Sequence, residues 1–279
     1  MLLRKFLFLT VTAFCGLTAL VSVSAQQAQE KQDRKSEKKQ TALDGKNQNY
    51  TAEQVAETVL FAYGGAGGRN TLSQIRRTEI ETGRSTRIAA DGKPEDSTYE
   101  KRIMRGESQE KDRIRINQKL PQAEYALIYD ATKTFGIINN ATFTPREEAD
   151  RNFQAQIFHG LDALLRYKEN GSTLKLIGKN KNMNVEYYVL DVTDKQNRTT
   201  RFNISAKFFR VHSLEYSLAL TEGGTPVKFV RKFYDYRGAQ GTLVPYRSVL
   251  QADGKQIEET NILTVTFGTK IDENQFQAE

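Results

Sequence analysis

The end of the chain restricts the fold most. Phe229-Val230-Arg231-Lys232-Phe233-Tyr234-Asp235-Tyr236 is dense in aromatic and β-branched residues, which favour a pleated, half-buried surface. Gly238 and Gly241 supply a turn, and Leu243–Gln251 reads as a second strand. Ala252-Asp253-Gly254-Lys255 then carries the Asp-Gly pair of a tight hairpin before a third strand, Gln256–Phe267. Upstream, Thr78–Ile88, Thr98–Met104, Asp112–Asn117, Glu124–Asp130 and Lys133–Ile138 are candidate strands, as are Thr173–Lys179, Val185–Val192, Thr199–Ile204 and Phe209–Leu220. Their regular spacing, with turn residues between, predicts an antiparallel meander rather than βαβ units. In the longest of them His212, Leu214, Tyr216, Leu218 and Leu220 share one face, and Ser213, Glu215 and Ser217 the other.

Three helices interrupt this pattern. Thr51-Ala52-Glu53-Gln54 fits a capping box, with Val55, Val59, Leu60 and Tyr63 following at helical spacing until Gly64-Gly65. A second short helix places Leu72 and Ile75 three residues apart. The glycine-rich loop before it matches neither phosphate-binding fingerprint and reads as a turn. The third is expected over Pro145–Asn170, with Thr144 as its cap and Glu147, Glu148 and Asp150 at the positive end of its dipole. Phe153, Ile157, Leu161, Leu164 and Leu165 form its apolar stripe, while Asn152, His159, Asp162 and Arg166 are expected on the polar side. Such a helix either packs on a sheet as ordinary core or plugs the mouth of an open barrel.

The opening residues indicate export. Arg4-Lys5 forms a basic start, Phe6–Val21 an apolar run, and Val23-Ser24-Ala25 the small residues that signal peptidase requires. Residues 1–25 are therefore expected to be a signal peptide cleaved before Gln26, with the mature protein in the periplasm. Residues 26–49 are rich in Gln, Lys, Glu and Asp and read as a disordered polar leader, leaving 50–279 as one domain. Cys15 falls within the apolar run, so the mature chain has no cysteine and no disulfide.

The formal charge of +7 comes from 41 basic and 34 acidic residues, and falls to about +5 without Arg4 and Lys5. Spread along the chain, it reads chiefly as a solvated surface, with an anionic membrane surface as the alternative partner and nucleic acid excluded by export. Catalytic motifs are absent from the sequence. His159 and His212 are the only two histidines and stand alone, no nucleophile elbow or zinc motif occurs, and Glu147/Glu148 and Asp191/Asp194 read as a helix start and a turn. No catalytic residue, metal ligand or cofactor is expected.

The order of weak motifs adds a resemblance. Tyr234-Asp235-Tyr236-Arg237, a glycine turn, Leu243-Val244-Pro245-Tyr246-Arg247, a hairpin, a Thr/Val-rich strand and Ile271–Phe276 resemble the end of the periplasmic lipoprotein-carrier (Lol-type) superfamily. Ala62-Tyr63-Gly64-Gly65 with Leu72 and Ile75, Arg113-Ile114-Arg115, and Leu127–Ile137 resemble its earlier segments. Lys179–Asn184 departs from it, standing where many relatives have a Gly-rich turn.

The resemblance implies a mainly β (α+β) fold, a curved antiparallel sheet forming a half-open β-barrel covered by a few helices. It also implies a monomeric, non-catalytic carrier whose partners are lipoprotein acyl chains or lipid. The candidate cavity residues are Phe153, Ile157, Leu161 and Leu164 on the helix, Leu214, Tyr216 and Leu218 on one strand, and Leu263, Val265 and Phe267 on the last. The alternatives are an exported sensor or structural module of the same fold, and a hydrolase with an unrecognised carboxylate site.

Overall fold

The structure is a computed structural model that describes residues 50–89, 91–182 and 184–278; the signal-peptide and leader expectations lie outside them. Two meanders make up the sheet. The first is β1 (Thr78–Ile88), β2 (Pro94–Met104), β3 (Arg113–Lys119), β4 (Glu124–Tyr129), β5 (Thr134–Ile138) and the short β6 (Ala141–Phe143), which sequence reasoning did not foresee. The second is β7 (Thr173–Asn182), β8 (Val185–Thr193), β9 (Thr199–Ser205), β10 (Val211–Leu218), β11 (Val227–Ala239), β12 (Thr242–Ala252) and β13 (Lys255–Phe267). Pairing of β1 with β13 joins them into one antiparallel sheet in the order β6-β5-β4-β3-β2-β1-β13-β12-β11-β10-β9-β8-β7. The sheet is curved and does not close, because β6 and β7 are its two edges.

That topology positions the lid. β6 and β7 are consecutive in sequence but lie at opposite edges, so their connection must cross the whole sheet. It does so through α3 (Glu147–Phe158) and α4 (Asp162–Leu165); the earlier helices α1 (Ala52–Gly64) and α2 (Gly68–Ile75) precede β1. Thr51 caps α1 in the full capping box, its hydroxyl accepting from Gln54 N at 3.2 Å while Gln54 Oε1 accepts from Thr51 N at 2.7 Å. Val55, Val59, Leu60 and Tyr63 of α1 bury against Leu190, Phe202, Ile204, Val211 and Leu214 of the second meander, and Leu164 of α4 joins them. α3 packs chiefly on the first meander, with Phe153, Ile157 and Phe158 against Ile103, Ile114 and Tyr129, while its Ala155 joins the second-meander core. On the sheet's other face the tail residues Ile271 and Phe276 cover Ala126, Ile128, Phe135 and Ile80.

The expected single helix over Pro145–Asn170 is two. α3 starts after Arg146, an extended residue with no side-chain cap, so neither Thr144 nor Pro145 has the role expected. It ends at Phe158, where His159 takes φ −106° and Gly160 follows. A helical wheel drawn through this break misplaces what comes after it. His159 is buried at 6% exposure, and Asp162 and Arg166, expected on a solvated side, enter ion pairs instead. Asp191, expected in a turn, lies in β8 and pairs with Arg201 at 2.7 Å.

Register shifts at Ile177, His212, Ile257 and Leu263 reset strand parity, and those at His212 and Leu263 bear on the expected faces. Val211 pairs with Ile204 but Ser213 with Asn203, leaving His212 as the additional residue. Val211 and Leu214 are both core, whereas His212 lies on the opposite face, 5.0 Å from the Tyr187 ring. His212 therefore does not share the Leu214 face as expected, and β10 stops at Leu218 rather than Leu220.

Candidate functional site

Between the concave face and the α3–α4 connection lies a cavity of about 260 Å³. Its roof is mostly apolar, formed by Phe153 and Ile157 of α3 with Leu161 just before α4, with Gln156 and Asp162 beside them. Apolar walls come from Ile103, Ile114, Ile116, Phe233, Val265 and Phe267. The floor is not. Along β1 every second side chain from Glu79 enters the cavity, giving Glu79, Glu81, Ser85 and Arg87, with Gly83 between. Their neighbours in register are Lys101 and Tyr99 on β2 and Glu258, Thr260 and Ile262 on β13.

These charges are compensated in place. Lys101 Nζ sits 3.0 Å from Glu81 and 3.3 Å from Glu79, and Arg105 bridges Glu79 at 2.7 Å and Asp162 at 2.6 Å. Burial alone would raise the Glu79 carboxyl, but Lys101 and Arg105 outweigh it and hold it at about 2. Burial likewise works against the ionised Asp162, and Arg105, Arg166 and Arg76 overcome it, so its pKa is also depressed. The Lys101 ammonium is disfavoured by burial yet raised by Glu81 and Glu79. Asp112 is the contrary case: burial pushes it up to about 6 although Arg166 lies 2.7 Å away. Gly83 is required by this floor, since a Cβ there would stand 2.5 Å from Tyr99 Oη, whose hydroxyl donates to Glu81 at 2.8 Å.

Of the residues expected in a cavity, Phe153, Ile157, Leu161, Val265 and Phe267 line this one. Leu164, Leu214 and Tyr216 belong instead to the closed core beneath α1 and α4, and Leu218 packs at its margin. Leu263 is on the outside at 55% exposure. The cause is the bulge at Leu263: Gly83 pairs with Ile262 and Thr82 with Thr264, so Leu263 is the unpaired residue and the inward set changes from Glu258, Thr260 and Ile262 to Val265 and Phe267. His159 is a core residue, stacked on Tyr216 with ring centroids 4.2 Å apart and sharing a 2.7 Å hydrogen bond between Nδ1 and Thr200 Oγ1. Burial, reinforced by the Arg198 charge, lowers its pKa to about 4, so it is neutral.

The charged floor escaped sequence reasoning because alternating charged residues in β1 and β2 read as a solvated face. The available signal was the two carboxylate–cation pairings that antiparallel register sets across β1, Glu81 with Lys101 and Arg87 with Glu258. Among the described residues no group of three or more His, Cys, Asp or Glu could hold a metal ion, and no helix is long and apolar enough to cross a membrane.

The sequence matches no protein-family model and no curated protein. The fold does match solved structures. A LolA superfamily protein from Nitrosomonas europaea aligns over 82% of this chain and 98% of its own at a TM-score of 0.55 and 10% identity. A putative outer membrane lipoprotein-sorting protein domain from Vibrio parahaemolyticus aligns over 81% and 97% at 0.56 and 12%. A DUF1329 family protein from Desulfovibrio piger aligns over 81% and 97% at 0.55 and 8%.

Proposed function

We propose, from a fold that matches a LolA superfamily protein and a lipoprotein-sorting protein domain, that the protein is a periplasmic, non-catalytic, monomeric carrier that shelters an acyl chain of a lipoprotein or lipid between sheet and lid. One observation supports this reading: Phe153 and Ile157 close on Ile103 along one side, but the roof they form with Leu161 is separated from the walls Phe233 and Val265 by open space. Each methylene moved from water into such a space contributes about 0.8 kcal/mol, close to fourfold in affinity. At about 260 Å³ the cavity is slightly below the roughly 300 Å³ at which small-molecule sites begin, so a long chain requires the lid to shift.

The rival reading is a structural or sensor module, and the closed ion-pair network of Glu79, Glu81, Lys101, Arg105 and Asp162 favours it, since these groups need no ligand. Titration with neutral acyl esters of increasing length, following displacement of a fluorescent acyl probe, separates the two. A carrier binds with affinity rising per methylene until the cavity is filled, and Leu161→Glu abolishes this while the protein stays folded. A folded native protein that binds no ester of any length leaves the structural module.

A further inference from the structure

The floor of the cavity is uneven in charge, and the imbalance is local. Around Lys101, the cations Arg76, Lys101 and Arg105 face the anions Glu79, Glu81 and Asp162, one for one. At the other end Arg87 and Arg231 share a single carboxylate, Glu258. Arg87 Nε is 2.8 Å from Glu258 and satisfies it; Arg231 Nη2 is 3.6 Å away, beyond hydrogen-bond reach. Arg231 keeps only a 3.2 Å bond from Nη1 to Ser248 Oγ and is mostly enclosed, its side chain 17% exposed. Glu95, opposite Arg87 in the register, is exposed at the rim.

A row of hydroxyls crosses the floor beside this corner. In register, Ser97 of β2 lies opposite Ser85 of β1, Ser85 opposite Thr260 of β13, and Thr260 opposite Ser248 of β12. Three of the four are engaged: Ser97 donates to Ser85 O and accepts from Gln118, Thr260 donates to Glu258, and Ser248 accepts from Arg231. Ser85 Oγ has no partner, although Ser85 is 6% exposed and lines the cavity. An unpartnered buried hydroxyl and an under-neutralised buried guanidinium are each unfavourable alone. One anionic group that reached both would satisfy them.

We propose that this Arg231–Ser85 corner binds the anionic head, a carboxylate or a phosphate, of a one-chain amphiphile whose tail runs beneath Phe153, Ile157 and Leu161. The half-exposed Arg87 places the corner at the rim, and the apolar roof continues inward from it. This rests on the carrier reading and narrows it: the cargo is a charged single-chain lipid, not the uncharged ester and amide chains of a lipoprotein.

Calorimetric titration of the full mature chain with dodecanoate, dodecyl phosphate and methyl dodecanoate tests it. The expected result is at least tenfold tighter binding of one anion than of the ester, and whichever anion is preferred identifies the head. Arg231→Met brings the anion-to-ester ratio close to one with ester affinity unchanged, and Ser85→Ala, which alters no ion pair, reduces the ratio several-fold. Equal binding of ester and anions by the native protein overturns the anionic subsite but leaves the carrier. A preference that survives in both folded variants overturns the assignment to this corner. Absence of binding by all three probes overturns the carrier reading and this one with it.

Discussion

His159 offers a stability measurement whose size follows from its surroundings. It is neutral in the folded protein with a pKa near 4, set first by burial and then by Arg198, against an unfolded value near 6.5. A depressed histidine stabilises the fold fully above its unfolded pKa, and that stability is lost as pH falls toward the folded pKa, because only the unfolded chain takes up the proton. Between about pH 7 and pH 5 the linkage amounts to about 2 kcal/mol, or roughly 4–8 °C in Tm for a domain of this size. Asp112 works in the opposite direction, since its raised pKa of about 6 lets the folded state bind the extra proton first. The native pH profile alone therefore mixes the two.

The comparison with His159→Phe isolates the histidine. Phenylalanine can keep the stack on Tyr216 but leaves Thr200 Oγ1 without its 2.7 Å partner, so at pH 7 the variant should be less stable by about 1–3 kcal/mol. By pH 5 the gap should have narrowed by about 2 kcal/mol, as only the native protein carries the histidine penalty. Urea unfolding of both proteins across this range reads the gap directly. A gap that stays constant with pH would mean that His159 is not held neutral in the core.

Other expectations concern the floor, the core and the Leu263 bulge. Lys101→Met removes the cation facing both Glu79 and Glu81 and should cost about 3–5 kcal/mol in urea unfolding, far more than an exposed lysine would. Gly83→Ala puts a methyl group 2.5 Å from Tyr99 Oη and should cost about 1–3 kcal/mol, with a matching fall in Tm. Leu164→Ala empties a fully buried site at a cost of about 2–5 kcal/mol. Leu263→Ser, at the exposed bulge, should alter stability by less than about 0.5 kcal/mol; a comparable loss in the two would contradict the placement of Leu263.

Local chemistry was legible in the chain and long-range parity was not. The Thr51–Gln54 capping box and the Asp253-Gly254 turn, with φ of 46° and 80°, depend on residues a few positions apart, and both are present. Strand positions were readable for the same reason. Which face of each strand is dry depends on partners far away. Ile80 faces outward and is nonetheless covered, because Ile271 and Phe276 return to pack there, while Glu79 and Glu81 face inward and find Lys101 and Arg105. With both faces of β1 covered, alternation between apolar and polar residues loses its meaning. The bulges at His212 and Leu263 add one residue each and invert the alternation beyond them, which no period-two count can register.

A charged floor also bears on how such a protein could release what it binds. An empty cavity of about 260 Å³ lined wholly by apolar groups would cost on the order of 6 kcal/mol at 24 cal/mol per Å³. Here the floor pairs Glu81 with Lys101 and Glu79 with Arg105 whether or not cargo is present, and polar walls of this kind accept water. On the carrier reading the unloaded state is therefore tolerable, and binding would draw chiefly on the roof and the apolar walls. A chain gaining contacts from one side retains only part of the roughly 0.8 kcal/mol per methylene, which keeps affinity moderate. On the carrier reading, exchange would open the contacts of α3 with Ile103 and Ile114, the Ala155 contact with the second-meander core and the hydrogen bonds of Arg151 to Ala219 O and of Glu222 N to Glu147, while the strand ladder beneath stays paired.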